Sequence, residues 1–135
     1  VDDNIIEQIE GIIRNISFKN TLSGNNPGSF DSPELRVIRD ADRLDAIGAI
    51  GIARAFNYGG FKNRKLYDPD IPPAIQQTKE NYKNSSAPTI NHFYEKLLLL
   101  KDRMHTKTAK KMAAKRHRFM ERFLEEFYRE WNSID

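Results

Sequence analysis

RVIRDADRLDAIGAIGIARAF, Arg36–Phe56, reads as one helix with two acids set into its apolar side. Ile38, Asp42, Asp45, Ala49, Ile52 and Phe56 follow the alternating four- and three-residue spacing that keeps side chains on one helical face. Asp42 and Asp45 are the exceptions on that face, because a buried carboxylate is costly unless something pairs with it. A metal ion, a functional water, or an Arg or Lys from a neighbouring helix would each account for them. Asp40 falls on the side of Arg36 and Arg43 and is expected to be solvated. The second half of the stretch, Ala46 to Ala53, is apolar almost all round, the pattern of a helix covered on several sides.

The remaining segments also read as helices. Ile5, Ile6, Ile9, Ile12, Ile13 and Ile16 give Asp3–Ile16 an amphipathic pattern, with acids at its N-terminal end. Residues 21–32, rich in Gly, Asn and Pro, form a loop, and Ser32-Pro33 supplies an N-cap and first helical residue for the next helix. Tyr58-Gly59-Gly60 is expected to end that helix. Residues 61–86 make a long excursion with a short helix near 74–82. Thr89–Met104 is a third helix with Ile90, Phe93, Leu97, Leu100 and Met104 as its apolar stripe. Thr106 caps a fourth, which runs to Trp131 with Ala109, Ala113, Met120, Phe123, Phe127 and Trp131 on one side. No strand pattern appears, so the fold class is all-α, in one domain over residues 1–135.

Composition excludes several classes of function. There is no cysteine, which removes disulfides and thiolate metal sites. The acidic, polar start is unlike a signal peptide, and no apolar run reaches membrane-spanning length, so a cytoplasmic protein without membrane partners is expected. A net charge of +3 is too small to favour nucleic acid as the partner.

RDADRLDAIGAIGIARAF resembles the last conserved block of the HD-domain superfamily of metal-dependent phosphohydrolases. Four further blocks resemble small stand-alone bacterial members, in the same order: ISFKN at 16–20, KLYDPDIPP at 65–73, INHFYEKLLLLKDRM at 90–104 and KRHRFMERFLEEFY at 115–128. The family pattern is a His, a His-Asp dipeptide and a distant Asp. This chain has no His-Asp dipeptide, and His92, His105 and His117 all follow Asp42. The resemblance therefore implies the C-terminal part of an HD-like helical bundle whose other ligands lie outside the given sequence. The alternative is a degenerate member without metal chemistry.

On that resemblance Asp42, in Ala41-Asp42-Arg43-Leu44, is the catalytic metal ligand, and the cofactor is a divalent ion such as Mn²⁺, Mg²⁺ or Co²⁺. Asp45, one turn on, is placed to orient a ligand or water, or to meet a base. Lys19 reads as a cation near a substrate phosphate or as a lysine at a helix end. His92 and Lys96, one turn apart, read as substrate donors or as a wet face. Arg116 and His117 interrupt the apolar side of the last helix, where Arg can grip phosphate or cover the core with its stem. Arg64 and Tyr67, in the long excursion, suit phosphate contact and base stacking, or a basic surface loop. The implied activity is hydrolysis of phosphate esters or anhydrides, with a nucleotide as the small-molecule partner. This chain alone is expected to be inactive, and a homodimer is compatible with the reading. The alternatives are an inactive HD-like nucleotide-binding module, or a nucleic-acid or protein adaptor using the basic last helix.

Overall fold

The computed structural model describes residues 2–16, 30–74 and 86–134. These residues form five α-helices and one 3₁₀ segment, with no strand among them. The helices are α1 (Asp3–Asn15), α2 (Pro33–Asp45), α3 (Gly48–Phe61), α4 (Thr89–Glu95) and α5 (Lys107–Trp131), and the 3₁₀ segment spans Leu97–Arg103. Lys19 and most of the expected 74–82 helix lie outside the described residues.

The core is a seam between α5 and the elements packed on it. Ile47 and Ile52 come from α3 and its approach, and Ile90, Phe93, Leu97, Leu100 and Met104 from the α4–3₁₀ arm. Ala109, Ala113, Met120 and Leu124 come from α5. Phe93 is fully buried, with ring centroids 5.9 Å from Phe123 and 6.0 Å from Phe56. The apolar stripe expected for residues 90–104 is buried throughout, but the helix carrying it is not continuous. It breaks at Lys96, where φ −143° and ψ −58° leave the helical region, and the chain tightens into the 3₁₀ segment. That turn keeps Leu97 and Leu100 directed at the core.

Arg36–Phe56 is two helices, not one. The chain leaves α2 at Ala46, Ile47 is extended, and Gly48 opens α3 with φ +80°. Glycine is required there for two reasons. Its φ lies where a Cβ is strained, and a Cβ would meet the Arg116 stem at 3.0 Å. Arg116 completes the joint by donating from Nη1 to the carbonyl of Leu44, one of the orphan acceptors at the end of α2. The break drives Ile47 into the core and turns Ala49 and Ile50 outward. The helix also runs past Gly59-Gly60 to Phe61. Gly59 lets α3 press on α4, where a Cβ would overlap the Thr89 hydroxyl.

The acids at the two ends of Asp40-Ala41-Asp42 in α2 have exchanged places relative to the expectation. Asp40, expected in solvent, is 3% exposed. It accepts from the backbone N–H of His105 and of Thr106, both at 2.8 Å, and from His105 Nδ1 at 2.9 Å. Because the carboxylate is the acceptor, Nδ1 carries the imidazole proton. The nearby Arg43 guanidinium donates instead to the carbonyl of Arg103. Asp42, expected on the buried side, is exposed, as is Asp45. Ile38, on the same face, is also exposed.

α1 rests on α2 through polar contacts. Arg39 donates to the Asn15 carbonyl at 2.8 Å and Gln8 to Glu34 at 3.2 Å. Ile5, Ile6, Ile9 and Ile13 stay open, from 43% exposed at Ile6 to 66% at Ile13. No described helix is long and apolar enough to cross a membrane.

Burial raises the Asp40 pKa, but the backbone donors of Thr106 and His105 outweigh it and the net shift is downward. A lowered carboxylate pKa stabilises the fold above the unfolded value of about 3.9, and that stability is lost as pH falls through the folded value. Asp40→Ala should therefore cost on the order of 3 kcal/mol at pH 7 in a urea titration, and less at pH 3. Asp42→Ala should change stability by less than about 0.5 kcal/mol. Gly48→Ala should cost about 1–2 kcal/mol through its positive φ.

Candidate functional site

The break at Gly48 and the press of Gly59 on Thr89 leave a pocket of about 560 Å³ between α3 and α4. Three cations line it: Arg54 from α3, Arg64 from the segment after it, and Lys96 at the end of α4. His92, Glu95, Asn57, Tyr58 and Thr89 complete the polar wall. Three bases against one acid give the pocket an excess of positive charge. Glu95 is partly occupied, accepting the Ala74 backbone N–H at 3.0 Å.

Each side chain arrives by a short local argument. Arg54, Asn57 and Tyr58 share one face of α3 at three- and four-residue spacing. His92, on α4, and Lys96, at the break that ends it, both line the pocket. Arg64 lies 5.6 Å from the centre of the Tyr58 ring, a cation–π distance that ties the loop to the helix. The hydroxyl of Thr89 is buried and has no hydrogen-bond partner among the described residues. Burial first, and then the Lys96 and Arg64 cations, push the His92 pKa down to about 4. His92 is therefore neutral at physiological pH, with one ring nitrogen able to donate and the other to accept.

The pocket reaches the acids of α2 through one ion pair. Arg54 pairs with the Asp45 carboxylate across the helix break, so Asp45 does meet a base. Asp42 lies one helical turn before Asp45 and forms no hydrogen bond or ion pair with a described residue. A divalent ion takes several donors, and no group of three His, Asp or Glu side chains converges among the described residues. Asp42 can be one donor. The residues described here do not form a metal site by themselves.

The structure thus brings Arg64, His92 and Lys96 together and sets Asp45 at their edge. It does not bring the others in. Tyr67 stands in an aromatic pile with Trp131 at 5.2 Å and Tyr128 at 5.3 Å, so its ring is committed to packing. Arg116 is engaged at the α2–α3 joint, where its stem covers Gly48. His117 is 9% exposed in the core row of α5 and lies 3.2 Å from Glu121. Arg54, Asn57 and Tyr58 are pocket residues that the sequence reading passed over. Their signal was a polar stripe at i, i+3 and i+4 on a helix otherwise read as apolar all round.

No family model matches the chain. Individual proteins do. The protein YpgQ of Bacillus subtilis is 40% identical over 104 residues, which cover 77% of this chain and 43% of YpgQ. A crystal structure from Lactobacillus plantarum superposes with a TM-score of 0.85 at 44% identity, over 98% of this chain and 61% of that one. An HD-superfamily hydrolase from Bacillus thuringiensis is 55% identical with a TM-score of 0.63, over 75% of this chain and 47% of that one. YpgQ has also been crystallised with ADP, and that structure matches with a TM-score of 0.68 at 33% identity, over 96% of this chain and 54% of that one. The chain spans less than half of YpgQ in the sequence match and about 60% of the Lactobacillus structure. In sequence and in fold the chain is similar to an HD-superfamily hydrolase and to YpgQ, over part of the length of each.

Proposed function

We propose that the protein hydrolyses phosphate ester or anhydride bonds of nucleotides, and that the pocket between α3 and α4 holds the substrate. The observation that carries this reading is the grouping of Arg54, Arg64 and Lys96 around a neutral His92, with Arg54 also paired to Asp45. Cations in a concave, partly desolvated site suit a polyphosphate. Tyr58, beside Arg64, offers a ring face on which a base can stack. A neutral imidazole can donate to a phosphate oxygen or to a base edge without adding charge. The ADP complex of YpgQ supports a nucleotide over other phosphate esters.

Asp42 is proposed as one carboxylate ligand of the divalent ion that this family's chemistry calls for, with the remaining ligands supplied from outside the described residues. Arg54 would then orient Asp45 beside it while its remaining donors face the pocket. The same pocket without a completed ligand set would make a nucleotide-binding module, and turnover separates the two readings.

Isothermal titration of this chain with ADP should give saturable binding. Lys96→Ala and Arg64→Ala should each weaken it roughly ten- to hundred-fold, the worth of one charge-assisted contact. Tyr67→Leu should leave the affinity unchanged. Equal losses at all three positions would remove the pocket assignment.

With Mn²⁺ and a nucleotide panel, this chain alone should release no phosphate or pyrophosphate above background, because Asp42 is its single proposed ligand. Robust turnover would overturn the incomplete ligand set.

The His92 ring should titrate by NMR with a midpoint near 4. A histidine whose folded pKa is depressed binds fewer protons folded than unfolded, so it removes stability as pH falls from about 6.5 toward that value. His92→Gln should flatten the stability–pH curve in that window. A ring titrating near 6.5 would mean that the pocket is open to water.

A further inference from the structure

The candidate pocket suits an anion, yet its wall holds one acid. Glu95 lines it together with Arg54, Arg64 and Lys96. A carboxylate there repels phosphate oxygens and offsets part of the attraction that the cations supply. The fold does not demand that charge. Glu95 accepts the backbone N–H of Ala74 at 3.0 Å, in an exposed contact that an uncharged glutamine oxygen would make as well. Arg54 pairs with Asp45.

The helices set the acid at a definite end of the pocket. Gly59 of α3 presses on Thr89 at the start of α4, and Phe56 meets Phe93 with ring centroids 6.0 Å apart. Residue numbers fall along α3 as they rise along α4, so the two helices run in opposite directions across the pocket. Glu95, six residues beyond Thr89, therefore stands toward the half of α3 that carries Arg54. Tyr58, with Arg64 against its ring, marks the opposite end. A nucleotide that stacks its base on Tyr58 and sets its phosphates toward Arg54 and Lys96 carries its sugar between the two. An ionised carboxylate only accepts hydrogen bonds, so it has nothing to take from a phosphate oxygen and much to take from a hydroxyl.

We propose that Glu95 is a specificity residue of this pocket, accepting a hydrogen bond from a sugar hydroxyl of the nucleotide and disfavouring bare polyphosphate. The proposal rests on the reading of the pocket as a nucleotide site. One side chain then does both halves of the selection: it repels any polyanion, and a ligand with a correctly placed hydroxyl recovers the loss. The cations alone would hold inorganic pyrophosphate as readily as a nucleotide.

The test is isothermal titration of the complete 135-residue chain with ADP and with inorganic pyrophosphate, wild type against Glu95→Gln. Glutamine keeps an oxygen for Ala74 and removes the charge. Pyrophosphate should bind the variant several-fold more tightly, because a like charge is gone. ADP should not gain, so the preference for ADP over pyrophosphate should fall about tenfold, the worth of one charge-assisted hydrogen bond. Of 2′-deoxy-ADP and 3′-deoxy-ADP, the one lacking the hydroxyl held by Glu95 should respond to the substitution as pyrophosphate does. IDP, altered only at the base edge, should respond as ADP does. An unchanged preference in Glu95→Gln would leave Glu95 as a latch on Ala74 and overturn the proposal. Both deoxy analogues following ADP, or IDP following pyrophosphate, would overturn it as well. If Lys96→Ala weakens neither ligand, the pocket reading falls and takes this proposal with it. An unchanged preference in a protein that does respond to Lys96→Ala would remove the role of Glu95 alone.

Discussion

The backbone N–H groups of His105 and Thr106 lie just ahead of α5, where no earlier helical turn can satisfy them, and Asp40 reaches across from α2 to do so. Its carboxylate takes both N–H groups and the His105 ring, so it fixes where the longest helix begins and how α2 lies against it. The consequence reaches the candidate chemistry. Two residues along a helix is a turn of about 200°, so once Asp40 faces α5, Asp42 must face away from it. The open position of Asp42, ready to join ligands from elsewhere, follows from the closed position of Asp40.

The joint at Ile47–Gly48 does the comparable task for the pocket. A continuous helix would have kept Arg54 far from Asp45, since nine residues along one helix separate side chains by more than two turns. The break folds α3 back, so that Arg54 pairs with Asp45 and its face lines the pocket beside His92 and Lys96. Arg116 secures that joint from α5, and Gly48 makes room for its stem. A residue read either as a phosphate contact or as a stem over the core thus acts on the pocket through the backbone that shapes it.

The likeness to HD-superfamily hydrolases and the geometry of the pocket support one another without resting on the same observation. The likeness concerns fold and sequence over part of the relatives' length. The pocket argument concerns charge, burial and the neutrality of His92. Ile5, Ile6, Ile9 and Ile13 of α1, with Val37, Ile38 and Ile50, are exposed, as is Asp42.

The sequence by itself determined the helical class, the N-caps at Ser32 and Thr106, and the buried stripe Ile90–Met104. Hydrophobic period and capping chemistry are local, and they are printed in the residues that obey them. The resemblance it carried, to HD-domain proteins, is matched by the likeness to an HD-superfamily hydrolase in sequence and fold. It could not determine which of Asp40 and Asp42 is buried, because both fit a helix and the deciding partners lie more than sixty residues away at His105 and Thr106. It also missed the break at Gly48, since a glycine in a run of alanine and isoleucine does not interrupt helical periodicity until the Arg116 stem and the core position of Ile47 demand it. Tertiary contact settled these points for one physical reason. A buried charge or a strained backbone is tolerated only where another segment compensates it, and which segment that is depends on the whole fold.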